Sequence, residues 1–124
     1  MTAIFAPRPD ECFIISEAEA FRSRDQITLK TDAAVYNVGT LVISEIVTGA
    51  KTGKYIRATQ ALADASTVED YALVIYATDA TAGDQIVAGF VRQGQVKSFE
   101  LDLDVSLTIP EATALLAPQG IIVR

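Results

Sequence analysis

The sequence contains no histidine and only one cysteine, Cys12. Without histidine, the chain lacks the side chain that most often serves as a general base and as a transition-metal ligand. One cysteine cannot form an intramolecular disulfide, and with no histidine to activate it we expect Cys12 to be inert. The commonest routes to catalytic and metal chemistry are therefore missing.

Positive charge is also scarce, with 10 lysines and arginines against 16 acidic residues and a net charge of −6. An acidic chain without a basic cluster repels phosphate backbones, so we expect no binding to nucleic acid. No apolar run approaches the roughly 20 residues needed to cross a bilayer. The N-terminus lacks the charged and apolar regions of a secretory signal. We expect no membrane association, and synthesis and folding in a cytoplasm.

Half of the 124 residues are apolar, which predicts one folded domain with its own core. From Arg24 onward the pattern is that of β-strands. Residues 72–77 and 86–91 are short apolar runs typical of buried strands, and residues 40–58 indicate a hairpin. In residues 96–105, apolar and acidic residues alternate, which predicts a half-buried strand. Residues 59–70 predict a surface loop with about one helical turn, and residues 121–123 a last strand.

One helix is predicted with a defined start. Thr108 and Glu111 have the spacing of a capping box, and Pro110 is tolerated in a first helical turn. Pro118 and Gly120 end the helix. The residues therefore predict a mainly β domain, a compact sandwich or barrel, with one short C-terminal helix.

Residues 1–21 have a different character. Pro7 and Pro9 exclude a helix or a central strand there, and short apolar groups surround them. Such a segment suits an extended arm that docks on another surface. It equally suits a terminus that packs on its own domain. The residues alone leave both interpretations open.

Two stretches have a superficial likeness to binding motifs. Residues 49–54, GAKTGK, are one residue too short for a phosphate loop, and Tyr55 replaces its Ser or Thr; we predict a hairpin turn. Residues 102–106 match the start of an EF-hand loop, but Leu107 replaces the glycine and Thr113 the bidentate glutamate. We predict a solvated acidic strand face. Nothing in the sequence places two carboxylates in an apolar pocket for acid–base chemistry.

Several blocks resemble the phage head decoration proteins of the lambda D family. Their order and spacing, from about residue 23 to residue 124, carry the resemblance. The blocks are SRDQITL (23–29), VGTLV (38–42), GKYI (53–56), ALVIYATDAT (72–81), AGFVRQGQV (88–96) and GIIVR (120–124).

This resemblance implies a structural protein of the virion and not an enzyme, with no catalytic residue, metal, cofactor or small-molecule substrate. It implies homotrimers on the outer surface of the expanded head, at three-fold and quasi-three-fold positions, where they bind the major capsid protein and stabilise the head against packaged DNA. It also implies that residues 1–21 are a capsid-docking arm and residues 22–124 the β decoration domain. By position, the candidate contact residues are Ile4, Phe5, Pro7, Pro9, Phe13, Ile14 and Ile15.

Two alternatives of other classes stay open. One is a tail or neck adaptor with a small SH3-like or OB-like barrel, which would assemble as rings of another order. The other is a small trimeric all-β enzyme with clustered acidic or polar residues at subunit boundaries. The glycine-rich and Asp-containing motifs of the dUTP pyrophosphatases, an enzyme class of that kind, are absent from the sequence.

Overall fold

Short β-strands are the main regular structure of the chain, as its alternating apolar residues predict. The computed structural model describes residues 12–18, 23–65 and 70–124. The strands are β1 (Ile14–Glu17), β2 (Arg24–Leu29), β3 (Leu41–Val47), β4 (Ala50–Arg57), β5 (Tyr71–Val74), β6 (Gln85–Phe90), β7 (Gly94–Val96) and β8 (Ile121–Val123). The helices are α1 (Gln60–Ala65) and α2 (Ile109–Leu116), with 3₁₀ turns at Ser98–Glu100 and Ala117–Gln119. The mainly β architecture with a short C-terminal helix is confirmed.

Five strands close into a barrel in the order β2-β4-β3-β5-β6. Neighbouring strands are antiparallel except β2 and β4, which run parallel and pair at Thr28 with Lys54 and at Leu29 with Tyr55. Because successive side chains of a strand point to opposite faces, alternate positions fill the barrel interior. Those side chains include Ile27, Leu29, Val42, Ala72 and Val74.

A second layer covers one side of the barrel. It consists of a three-stranded sheet in the order β1-β7-β8 together with α2. Its apolar side chains pack against the outward faces of β3, β5 and β6, and this core includes Phe13, Leu41, Ile43, Leu73, Phe90, Val96, Leu116 and Ile121. The side chain of Gln119 links the two layers, because its amide group donates to the backbone carbonyl oxygens of Tyr71 and Val91 at 2.7 and 2.6 Å.

The predicted hairpin is confirmed as β3 and β4. Its two central residues, Thr48 and Gly49, have φ of 52° and 81°, as a type I′ turn requires. The turn of the hairpin is therefore at Thr48 and Gly49, and residues 50–54 lie within β4, so the GAKTGK stretch does not join a strand to a helix. The predicted helix is confirmed too: the Thr108 hydroxyl accepts from the Glu111 amide at 3.4 Å, and the Glu111 carboxylate accepts from the Thr108 amide at 3.3 Å.

The predicted strand over residues 96–105 is wrong. Strand β7 ends at Val96, a 3₁₀ turn follows, and Asp102 makes a single bridge with Thr40. The segment crosses the end of the barrel, where the Asp102 amide donates to the Gly39 carbonyl at 3.0 Å. Leu101 and Leu103 pack on the core, whereas the side chains of Phe99 and Val105 are 76% and 103% exposed. A segment that crosses the end of a barrel contacts the core at only a few points. Apolar residues at alternate positions therefore do not all lie on one buried face.

Candidate docking surface

Strand β1 fastens the start of the described chain to the domain. It lies at the edge of the three-stranded sheet and pairs antiparallel with β7, Ile14 opposite Val96 and Glu17 opposite Gly94. The Arg24 guanidinium donates to both carboxylate oxygens of Glu17, at 2.7 and 2.6 Å. These hydrogen bonds are the main reason why the pKa of Glu17 is lowered. The strand is therefore held by backbone pairing and by an ion pair with the barrel.

The described candidate contact residues differ in exposure. Phe13 is fully buried, and its ring meets that of Phe90 edge-on, with centroids 6.1 Å apart and an interplanar angle of 78°. Ile14 packs partly buried against the same core, and Ile15 is 45% exposed. In this structure Phe13 thus contacts its own domain, and Ile15 is the most exposed of the three. The other candidates, Ile4, Phe5, Pro7 and Pro9, lie outside the described residues.

Close packing leaves no room for a side chain where β1 meets β7. A Cβ atom at Gly94 would lie 2.3 Å from the Phe90 ring and 2.6 Å from the Ser16 carbonyl oxygen. Real Cβ atoms do not come so close to a backbone oxygen, so a side chain here would push β1 away. Glycine at this position is what allows β1 to lie against the domain.

Residues 97–107, which we call the crossing segment, run beside the base of β1. The Lys97 amide donates to the Phe13 carbonyl at 2.7 Å, and the Cys12 thiol lies 3.4 Å from the Glu100 carboxylate. The Ser98 amide donates to the Arg124 carbonyl at 2.8 Å. The crossing segment therefore lies at one surface together with Cys12 and Arg124. The exposure of Phe99 is not predictable from the sequence. Phe99, Leu101 and Leu103 all alternate with acidic residues, so the pattern does not distinguish the exposed side chain from the two that pack on the core.

Elsewhere the charges of the barrel surface are paired. Lys30 with Glu45, Lys54 with Asp84, Lys51 with Asp70, and Arg57 with Asp32 form ion pairs of 2.5, 2.7, 3.0 and 3.2 Å, and Arg92 pairs with Asp25. Hydrogen bonds from Lys54 and from Thr31 lower the pKa of Asp84 to about 2. The cations of the barrel are thus largely neutralised within the chain.

Cavities open on the described part of the barrel, and two of them differ clearly in lining. One, of about 430 Å³, lies between β2 and β4, and its lining includes Tyr55 and Asp70. Burial is the main cause that raises the pKa of Tyr55 to about 12. The charged groups that line it, Asp25, Asp70 and Arg92, are ion-paired. The other, of about 410 Å³, is an apolar groove beside the β3–β4 hairpin.

Among the described residues, no group of three or more Cys, Asp or Glu side chains is placed to hold a metal ion. No helix within the same parts of the chain is both long enough and apolar enough to cross a membrane.

Comparison with known proteins gives a family. No curated protein and no solved structure matches the chain. The family model described as "Bacteriophage lambda head decoration protein D" matches residues 4–121. The match spans nearly the whole chain, from the residues before β1 to the first residue of β8. The chain therefore belongs to the bacteriophage lambda head decoration protein D family.

Proposed function

We propose that this protein decorates the outer surface of an expanded phage head as a homotrimer and stabilises the head against the pressure of packaged DNA. Its partner is the major capsid protein, and its sites are the three-fold and quasi-three-fold positions. The observation that carries the proposal is the family match over residues 4–121. That family is a class of structural virion proteins, which gives the protein a capsid decoration role.

Residues 1–11, the part of the predicted arm that precedes the described residues, are the proposed docking arm. They carry Ile4, Phe5, Pro7 and Pro9. An arm that becomes ordered on docking loses conformational entropy, and burial of Ile4 and Phe5 offsets that loss. Proline restricts the backbone before docking and so reduces the entropy that remains to be lost. Strand β1 supplies a fixed base for the arm, since it is paired with β7.

Three arms on one trimer allow each single contact to be weak. Once the first arm is bound, the second and third bind intramolecularly at a high effective concentration. Overall binding can then exceed the affinity of one arm by about 10²- to 10⁴-fold. A trimer placed on a three-fold position can engage three equivalent sites at once, which is the geometry that this avidity needs.

The test is co-sedimentation of the purified protein with expanded shells of the cognate phage, stripped of their own decoration protein. We expect saturable binding in multiples of three for each three-fold position, and a trimer by native mass measurement. A shell that rebinds its own decoration protein but not this one would contradict the proposal. A ring of another order would favour the tail or neck adaptor.

Deletion of residues 2–11 tests the arm. The deletion stops short of Phe13, because that side chain is fully buried in the core. We expect a folded trimer that no longer binds shells. A matched variant of full length, Ile4→Ser with Phe5→Ser, keeps the chain length and is expected to bind weakly. Decoration by the truncated protein at the occupancy of the full chain would refute the role of the arm.

A further inference from the structure

The crossing segment exposes two large apolar side chains on a fixed backbone. Phe99 is 76% exposed and Val105 103% exposed, the two highest values among the exposed large apolar side chains of the described residues. The backbone between them is held by hydrogen bonds, from the Asp102 amide to Gly39 at 3.0 Å and from the Leu41 amide to Asp102 at 3.3 Å. A segment that is already ordered loses little entropy when a partner covers it.

The position of this segment is next to the base of the proposed arm. Its first residue, Lys97, is hydrogen-bonded to Phe13, and Phe13 lies two residues after the end of the 1–11 segment. A partner that holds the arm is therefore also brought to Phe99. Exposed apolar residues beside the proposed contact would extend that interface, whereas apolar residues scattered singly over a surface need no partner.

The charge around these side chains is negative. Residues 97–107 contain three acidic residues and one basic residue. The Asp104 carboxylate accepts from the hydroxyl and the backbone amide of Ser106 at 2.6 and 3.0 Å. The Asp102 carboxylate accepts from the side-chain amide of Asn37 at 2.9 Å. These donors are neutral groups, and the cation that acts on Asp104, Arg57, is itself paired with Asp32. A complementary partner surface is apolar at its centre and basic at its rim.

A second copy of this chain fits that description poorly. The net charge of each copy is −6, and the cations of the described barrel are engaged in ion pairs. These are Arg24, Lys30, Lys51, Lys54, Arg57 and Arg92. A copy that met the crossing segment with its described barrel surface would break one of these pairs or bring two acidic surfaces together, and both are unfavourable.

We propose that Phe99 and Val105 insert into a basic-rimmed apolar hollow on the outer surface of the phage shell, as a second contact beside the arm. This inference rests on the proposed function and names a surface that the arm alone does not supply. It makes shell binding depend on both an arm and a rigid segment, and it orients the domain with its crossing segment toward the shell.

The first test measures shell binding of the double variant Phe99→Ser, Val105→Ser. We expect half-saturation at a concentration at least about tenfold higher than for the unchanged protein, because buried aromatic side chains are common hot spots. The control is Val47→Ser, which removes a side chain 52% exposed. Val47 lies at the far end of β3 from Leu41, about 20 Å from the crossing, and its loss is expected to leave binding unchanged.

A charge variant tests the rim. Asp104→Asn removes the charge but keeps an oxygen that can accept from Ser106. We expect binding up to about fivefold weaker at low salt, and a binding constant that depends less steeply on salt concentration. An unchanged salt dependence would contradict a basic rim.

A fluorescence variant tests whether Phe99 is covered in the free protein. The chain contains no tryptophan, so Phe99→Trp supplies a single reporter. We expect acrylamide to quench it as readily as a fully solvated tryptophan. A shielded tryptophan would overturn the proposal, since the arm or a neighbouring copy would then cover this site.

The outcomes separate this inference from the proposed function. If the unchanged protein binds shells and the double variant binds equally well, the inference fails and the decoration function stands. If the double variant loses its trimeric mass, a second copy occupies the surface and the inference is overturned. If the unchanged protein does not bind a competent shell, the proposed function fails and the inference fails with it.

Discussion

Replacement of Phe13 by alanine asks whether this residue belongs to the arm or to the domain. The side chain is fully buried, its ring packs edge-on against Phe90 at 6.1 Å, and it lies in the same core as Val96. Truncation of a buried phenylalanine to alanine lowers the free energy of unfolding by about 3–5 kcal/mol. The loss of the edge-on ring contact, about 0.5–1.5 kcal/mol beyond burial, is contained in that range. We expect a loss of at least about 3 kcal/mol for Phe13→Ala.

The assay is equilibrium unfolding in urea, followed by circular dichroism. All variants are compared at one protein concentration, because the stability of an oligomer depends on it. Ile15→Ala is the matched control. It lies two residues further along the same segment, but its side chain is 45% exposed, so we expect a loss of about 1 kcal/mol or less.

The opposite pattern would refute this reasoning. If Phe13→Ala unfolds with a free energy within about 1 kcal/mol of the unchanged protein, the buried ring does not support the domain. Loss of shell binding in that stable variant would then make Phe13 a contact of the arm, as the resemblance implied. Amide hydrogen exchange would locate the effect, since undocking of β1 alone exposes the amides of β1 and β7 first.

Three further predictions concern single groups. Thr108→Ala removes the capping hydroxyl of α2 and is expected to lower the free energy of unfolding by about 1 kcal/mol, whereas Thr108→Ser, which keeps the hydroxyl, is expected to match the unchanged protein in urea unfolding. Gly49→Ala is expected to lower it by about 1–2 kcal/mol, because Gly49 has φ of 81°; Gly83→Ala is the control, since both positions have open space but Gly83 has no positive φ, and equal losses would contradict the turn strain. The pKa of Asp84 is lowered from 3.8 to about 2, so its pairing stabilises the fold above about pH 4 and this contribution is lost as the pH falls through about 2. Thermal unfolding of Asp84→Asn is expected to approach that of the unchanged protein over this range, and a gap that stays constant from pH 7 to pH 2 would rule out the linkage.

Local patterns determined much of the fold. Gly49 and Gly53, between apolar runs, predict the hairpin because few residues other than glycine adopt positive φ readily. The turn itself is at Thr48 and Gly49, and Gly53 lies within β4. The spacing of Thr108 and Glu111 predicts the start of α2, since a capping box is complete within four residues. The absence of histidine and of a basic cluster argues against the commonest metal, catalytic and nucleic-acid sites. The inferences about the hairpin and the helix each depend on residues close together in the chain.

Contacts between distant residues decided the rest. Phe99, Leu101, Leu103 and Val105 have the same spacing, yet two pack on the core and two face solvent, because Gly39 and Leu41 hold the backbone across the end of the barrel. Phe13 follows a proline-rich segment, but its ring is buried because Phe90 and Val96 lie beside it in space. Alternation in a sequence shows that two faces differ. Which face meets the core is set by the strands and loops that the fold brings alongside, and that information lies far away in the chain.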